Sequence, residues 1–323
     1  MATQTTAGAM PLVSIGMPVY NGAAYLRGAL DSLLQQDYEH FELILSDDAS
    51  TDETETICRE YAARDARIQY HRQTKNLRAY RNFNYAFEQA RGEFFMWAAQ
   101  DDLWHPSFIR RCVEALQARP AAVLCHSQGQ LITPNGEPLW PAFVNCVAEE
   151  TTLAARWQRC LTHWELNAAI YGLMRREVAA RTRLMRLFLC ADLIFVTEMA
   201  IHGQIIQVPE TLYWKRRPLR DEDYHTHEEM LAYVAGAGYK KPVLVRLAVV
   251  KELCAGLRHA GVPAQLRRQL TRAAYRVYLR DRLWLVDIKE NAATRLGRAR
   301  YQKWLRLKAA LRGQTVAKQP HKG

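Results

Sequence analysis

The chain alternates short apolar, β-rich runs with stretches of helical periodicity. LVSIGMPVY (12–20) is a nearly continuous apolar run closed by a turn at Asn21-Gly22. Residues 23–36 place Leu26, Leu30, Leu33 and Leu34 on one helical face. FELILS (41–46) predicts a second buried strand, and the cap-rich DDASTDETE leads into a helix over about 53–64. IQYHR (67–71), a helix over about 80–90 and EFFMWAA (93–99) continue the alternation. Pro106 opens another helix, and AAVLCHS (121–127) is a fifth strand. Strand–helix–strand repetition of this kind predicts an α/β fold with a mainly parallel sheet and helices on both faces.

The pattern is mixed over 128–216. LITPNGEPL predicts a hairpin around Asn135-Gly136, residues 151–162 and 176–203 read as helices, and short strands at 205–208 and 211–215 flank Pro209. The polar stretch RRPLRDEDYHTHEE (216–229) is the best boundary. Beyond it the pattern is helical: Leu266, Leu270, Ala273 and Val277 share one face, as do Trp304, Leu307 and Leu311. Residues 1–10 read as a flexible tail with no secretory pattern. No run approaches the ~20 apolar residues of a membrane span; VLVRLAVV (243–250) is short and broken by Arg246.

Composition narrows the class. Hydrophobic residues make up 49% of the 323, which excludes global disorder. The seven cysteines are scattered, odd in number and without a CxxC pair, so reduced thiols in a cytoplasmic protein are expected rather than a disulfide framework or a zinc site. The formal charge of +11 is uneven. From Lys240 onward 21 Lys and Arg stand against 4 Asp and Glu, a net +17, while residues 1–239 hold 23 against 29, a net −6. A basic C-terminal region on an acidic body points to an anionic partner, such as the inner face of a membrane. No nucleic-acid-binding motif accompanies it.

Ligands of a parallel α/β sheet gather at the carboxyl ends of its strands. Three predicted strands end there in Pro18-Val19-Tyr20-Asn21, Asp47-Asp48 and Asp101-Asp102. Adjacent carboxylates repel, so a counter-charge is expected, and a Mg²⁺ or Mn²⁺ ion holding a diphosphate would supply one. Each Asp pair also precedes a helix and has a second reading as a helix cap. No GxxxxGK[ST] loop is present, and Gly236-Ala237-Gly238 is no dinucleotide fingerprint. His225, His227 and His163-Trp164-Glu165 are weaker candidates for metal or acceptor contacts.

VSIGMPVYNG, ELILSDDASTDET, NLRAYRNFNYAFEQARGEF and QDDLWHP occur in this order. Over residues 12–110 they resemble the family-2 glycosyltransferases of the GT-A fold, especially the bacterial rhamnosyltransferase-like branch. YGLMRREV and ADLIFVTEMAIHGQIIQVPETLYWKRR resemble the acceptor half, so the resemblance covers about residues 10–217. It implies a glycosyltransferase domain over 11–217, with a nucleotide-sugar half (11–127) and an acceptor half (128–217), followed by a basic helical region (218–323).

The resemblance also implies roles. Pro18, Tyr20 and Asn21 line the nucleotide pocket, and Asp47 and Asp48 lie by the base and ribose. Apart from the family pattern, which has a glycine at 78, Arg78 or Arg81 reads as a diphosphate contact or equally as a solvated surface arginine. Asp101 is the last acid of the DxD motif and holds Mn²⁺ or Mg²⁺, with Asp102 beside it. Asp192 is the catalytic base of an inverting single displacement from a nucleotide-diphosphate sugar to a glycan or lipid-linked acceptor, as in cell-surface polysaccharide synthesis. The sequence departs from the family pattern in three places. Ala99 stands where the first DxD acid belongs, Arg78 replaces a glycine, and Cys190-Ala191 replaces the acidic pair before the base. Asp192 also reads as a helix cap. A catalytically silent binding module and a nucleotidyltransferase remain as alternatives.

Overall fold

A computed structural model describes residues 10–139, 146–162, 168–188, 190–217, 244–281 and 283. Its strands are β1 (Val13–Val19), β2 (Phe41–Asp47), β3 (Ile68–Arg72), β4 (Phe94–Trp97), β5 (Leu103–Trp104), β6 (Ala122–Ile132), β7 (Leu173–Arg175) and β8 (Gln204–Arg216). They form one sheet in the order β3-β2-β1-β4-β7-β6-β8-β5. The β3-β2-β1-β4 half is parallel, and β6 pairs with β8 in parallel. The short β7 and β5 enter antiparallel, so the sheet is mixed beyond β4.

Apolar runs form the first strands because both faces of the sheet are covered. Leu43, Leu45, Phe94 and Met96 pack to one side with α1 (Ala23–Leu34), α2 (Thr54–Arg64) and α4 (Phe108–Ala118). Ile44, Phe95 and Trp97 point the other way, toward α3 (Ala79–Glu88), α6 (Arg176–Ala179) and α7 (Ala191–His202). The α/β expectation, with helices on both faces, is borne out.

Two elements differ from expectation. The strands flanking Pro209 are one strand, β8. Val208 pairs with Ser127 and Thr211 with Gln128, so Pro209-Glu210 form a bulge where the missing proline N–H costs no ladder bond. The long helix expected over 176–203 breaks between α6 and α7. Thr182 Oγ1 donates to the Ala179 carbonyl at 2.7 Å and accepts from the Leu184 amide at 3.1 Å, and Leu184 takes a positive φ of 52°. Such local side-chain bonds compete with the helical ladder. Asn84 then docks the loop by exchanging two bonds with the Met185 backbone, both 3.0 Å.

The described C-terminal helices, α8 (Val245–His259) and α9 (Ala264–Arg280), are not a separate cluster. They share a third apolar core with α7 and α5 (Leu153–Leu161), in which Trp157 donates to the Leu270 carbonyl at 3.1 Å. Gly256 lets α8 approach α7 closely, since a Cβ there would lie 2.9 Å from Glu198 Oε1. The proposed boundary at 217/218, the linker with His225 and His227, Gly236–Gly238, His163-Trp164-Glu165, residues 1–9 and the tail beyond 283 lie outside the described residues, wholly or on one side.

The α7–α8 contact is held by Arg183. Its Nε donates to Glu198 Oε1 at 2.6 Å and its Nη1 to Glu252 Oε2 at 2.9 Å, and Glu198 is 3% exposed. Arg183→Met strands a buried carboxylate and should lower unfolding free energy by about 3 kcal/mol. Adding Glu198→Gln should recover part of that loss in urea unfolding. A double variant no more stable than Arg183→Met would show that the pair does not act as a unit.

Candidate functional site

Three loops meet at the carboxyl edge of the parallel half. After β1 the chain turns at Asn21, with a φ of 47°, into α1. Asn21 Oδ1 accepts the Thr51 amide at 2.8 Å, and its own amide donates to Ser50 Oγ at 3.0 Å. The loops after β1 and β2 are thereby stitched together. The loop after β4 is clamped by Gln100: its Oε1 accepts the Tyr20 amide at 2.8 Å and its Nε2 donates to the Tyr20 carbonyl at 3.1 Å. Gly22 is required beside this clamp, because a Cβ there would lie 2.6 Å from Gln100 Oε1. Pro18 and Tyr20 are half-buried at this edge, and Asn21 is exposed.

The aspartates are not equivalent. Asp47 is fully buried and accepts from the Ser50 amide at 2.8 Å, Tyr70 Oη at 2.8 Å and Arg72 Nη1 at 2.7 Å. These bonds make it an organiser of the loop from inside the fold. Asp48, 1% exposed, accepts the Leu77 and Arg78 amides at 2.5 and 3.0 Å. It fixes the turn into α3, where Arg78 holds a φ of 77°. Burial raises the Asp48 carboxyl above its ordinary range. Arg81 is exposed on the first turn of α3, its guanidinium 5.6 Å from the Tyr80 ring centre. No contact among the described residues joins it to the acids.

Asp101 and Asp102 divide their labour. Asp102, 2% exposed, accepts from Tyr213 Oη and from the Arg216 amide at 2.9 Å. Both oxygens therefore tie the loop to β8, where the sequence reading expected a metal ligand. Asp101 is half-buried, and among the described residues no other residue donates to its carboxylate. Burial raises it, opposed by Lys215 and Arg216. Ala99 is partly exposed two residues before it.

Asp192 lies in the first turn of α7, behind Cys190 in the left-handed region at a φ of 63°. Burial raises its carboxyl, against the Leu193 amide and Lys215. Lys215 is thus the charge that Asp101, Asp102 and Asp192 share. The sequence reading quoted Lys215 and Gln100 only inside longer motifs and assigned neither a role. A charged residue alternating with a buried tyrosine near a strand end was the available signal.

Among the described residues, no three His, Cys, Asp or Glu side chains group into a metal site. Of the two Asp pairs at the sheet edge, Asp101 is the acid whose carboxylate takes no hydrogen bond from another described residue. That fits an ion completed by phosphates, as Mg²⁺-type ions commonly are.

The Asp102 carboxyl is pushed from 3.8 up to about 7 by burial and by the Asp101 charge. Its folded state retains a proton that the unfolded chain gives up. The resulting stability is present below pH 3.8 and lost as pH rises through about 7. Asp102→Asn removes the ionisation and keeps an acceptor for Arg216. Its Tm should gain on the wild type between pH 4 and pH 8. Parallel Tm–pH curves for the two proteins would refute this assignment.

Comparison with known proteins places this geometry. The model of "Glycosyl transferase family 2" matches residues 14–179, just over half of the chain. An uncharacterized glycosyltransferase of Rickettsia typhi is 40% identical over 106 residues, 33% of this chain and 32% of that protein. A putative teichuronic acid biosynthesis glycosyltransferase of Bacillus subtilis is 33% identical over 129 residues, 40% of this chain and 51% of that one. The matches thus span about a third to a half of these relatives' lengths. S. aureus TarS 1-349 in complex with UDP-GlcNAc aligns over 95% of this chain and 93% of its own, with a TM-score of 0.61 at 16% identity. A mannosyltransferase from Pyrobaculum calidifontis in complex with GDP-Man and Mn²⁺ aligns over 94% and 81%, with a TM-score of 0.55 at 19% identity. At such identities the likeness is one of fold, and the fold is the GT-A type that the motifs implied. With four ordered motifs on one sheet edge and the family model running through them, this chain belongs to glycosyl transferase family 2.

Proposed function

We propose that the protein is an inverting glycosyltransferase that moves a hexosyl group from a nucleotide-diphosphate sugar to a hydroxyl of a glycan or lipid-linked acceptor. One observation carries the reading. Asp101, at the end of the parallel half, and Asp192, at the start of α7, both feel the half-buried cation Lys215. A diphosphate-side acid and an acceptor-side acid therefore share one neighbourhood.

In this reading the Tyr20–Gly22 turn and the Ser50–Thr54 loop form the nucleotide floor. Gln100 fixes Tyr20, and Asp47 and Asp48 hold the loops in place from below. Asp101 is the residue that would hold a Mn²⁺ or Mg²⁺ ion, which when bound supplies positive charge to the departing diphosphate. Asp192 takes the proton from the acceptor hydroxyl as that oxygen bonds to the anomeric carbon. The bond to the nucleoside diphosphate breaks on the opposite face, inverting the centre. A carboxyl raised by burial is a better base near neutral pH than a solvated one.

The setting we propose is cell-surface polysaccharide synthesis at the cytoplasmic face of a membrane. It is supported by the teichuronic acid description of the Bacillus relative and by the net +17 beyond residue 239. No helix among the described residues is long and apolar enough to cross a membrane. The second reading, a nucleotide-sugar-binding module without turnover, draws on Ala99 alone.

A panel of nucleotide sugars with Mn²⁺ or Mg²⁺, scored for donor hydrolysis and transfer, tests the proposal. Asp192→Asn should lower kcat by about 10²–10⁴-fold while nucleotide binding persists. Asp101→Ala should abolish the stimulation of turnover by Mn²⁺ or Mg²⁺. Undiminished turnover in Asp192→Asn would remove it as the base, and nucleotide binding without turnover by the wild type would leave the binding-module reading.

A further inference from the structure

Two cations follow one another at the end of β8, and the fold uses them differently. Arg216 is committed to the protein. Its Nε donates to the Asp101 carbonyl at 2.8 Å, and its Nη1 donates to the Thr133 carbonyl at 3.2 Å and to that of Pro134. Its guanidinium also lies 4.7 Å from the centre of the Tyr25 ring. Arg216 therefore locks the acidic loop, the turn after β6 and α1 together.

Lys215 has no such duty. It makes no hydrogen bond or ion pair among the described residues, and its ammonium rests 5.7 Å from the centre of the Tyr171 ring. Strand alternation puts it on the same side of β8 as Tyr213, whose hydroxyl bonds Asp102. The aromatic face steadies the cation without consuming a donor. Its charge reaches three carboxylates, yet among the described residues no carboxylate oxygen lies within ion-pair distance of it. Its three N–H donors remain open to a ligand.

Ala99 gives this position its meaning. A family pattern with acids at 99 and 101 would be more negative here, and Ala99 removes one of those charges. Lys215 adds a positive charge to the same neighbourhood. Both features move the local charge toward one that accepts an anion directly. A nucleoside diphosphate is a polyanion that needs such compensation.

We propose that Lys215 is a built-in counter-cation for the nucleotide diphosphate: a binding residue that carries part of the neutralisation otherwise left to a divalent ion, so that this chain's nucleotide binding depends only weakly on metal. The inference rests on the nucleotide-sugar reading above and adds to it a specific source of charge.

Calorimetric titration of the full chain with UDP and, separately, GDP tests it, once with Mn²⁺ and once with EDTA. The wild type should keep its affinity in EDTA to within about tenfold of that in Mn²⁺. Lys215→Gln should lose at least about tenfold more than the wild type on the same change, and Lys215→Arg should retain most of the EDTA binding. Ala99→Asp should move the other way, binding more tightly with Mn²⁺ and falling more steeply in EDTA. Circular dichroism and Tm of each variant establish that it is folded. Strictly Mn²⁺-dependent binding by the wild type, or equal EDTA losses in wild type and Lys215→Gln, would overturn the role of Lys215 and leave the nucleotide reading standing. Absence of binding by both nucleotides under both conditions would bring down that reading and this inference together.

Discussion

Carboxylates held near one another away from water must be compensated, and this requirement shapes the edge of the sheet. Asp47, Asp48, Asp101, Asp102 and Asp192 all sit where water is partly or wholly excluded. Asp47 is answered by an arginine, a tyrosine and an amide, and Asp48 by two amides of a strained turn. Asp102 is answered by a phenol and an amide from β8. Each compensated acid joins segments distant in sequence, so the electrostatic solution is also the tertiary one. Asp101 and Asp192 take only backbone hydrogen bonds among the described residues and lie in the field of Lys215, which sets them apart from the acids that build the frame.

Much of this was legible in the sequence. Continuous apolar runs could only be strands buried on both faces, and the helices between them carried one apolar stripe each. The β1–β4 half, its helices and its carboxyl-edge residues therefore follow from periodicity and turn chemistry. The family and fold were legible in four ordered motifs. What was not legible depended on contacts between distant segments. Asp47 and Asp48 are identical neighbours in composition, yet only the positions of Tyr70, Arg72 and the Leu77-Arg78 amides decide what each carboxylate does. The break before α7 was hidden because RLMRLFLCADLIFVTEMA keeps a helical pattern through Arg183 and Met185, which Glu198 and Asn84 hold out of the helix. The two-residue β5 and three-residue β7 are too short to carry a periodicity.

Gln100 shows how a residue without charge can govern a charged site. By bonding both the amide and the carbonyl of Tyr20 it fixes the distance between the loops after β1 and β4, and Gly22 leaves it the space to do so. Arg216 does the same on the far side, bracing the acidic loop against the turn after β6. Between these two braces the Asp101 carboxylate takes a hydrogen bond from its own amide and none from another described residue.

The packing of α7 separates two ways of dividing the chain. The family model ends at residue 179, before the helix that bears Asp192. That helix is buried on nearly every side, partly by α8 and α9 from beyond the match. The segment recognisable by descent and the segment that folds as a unit therefore do not coincide. A lineage that exchanged its C-terminal helices would alter the seat of the proposed base while leaving the nucleotide floor untouched. Diversification of acceptors would in that way proceed from the back of the molecule, through packing, without any change in the residues proposed to meet the donor.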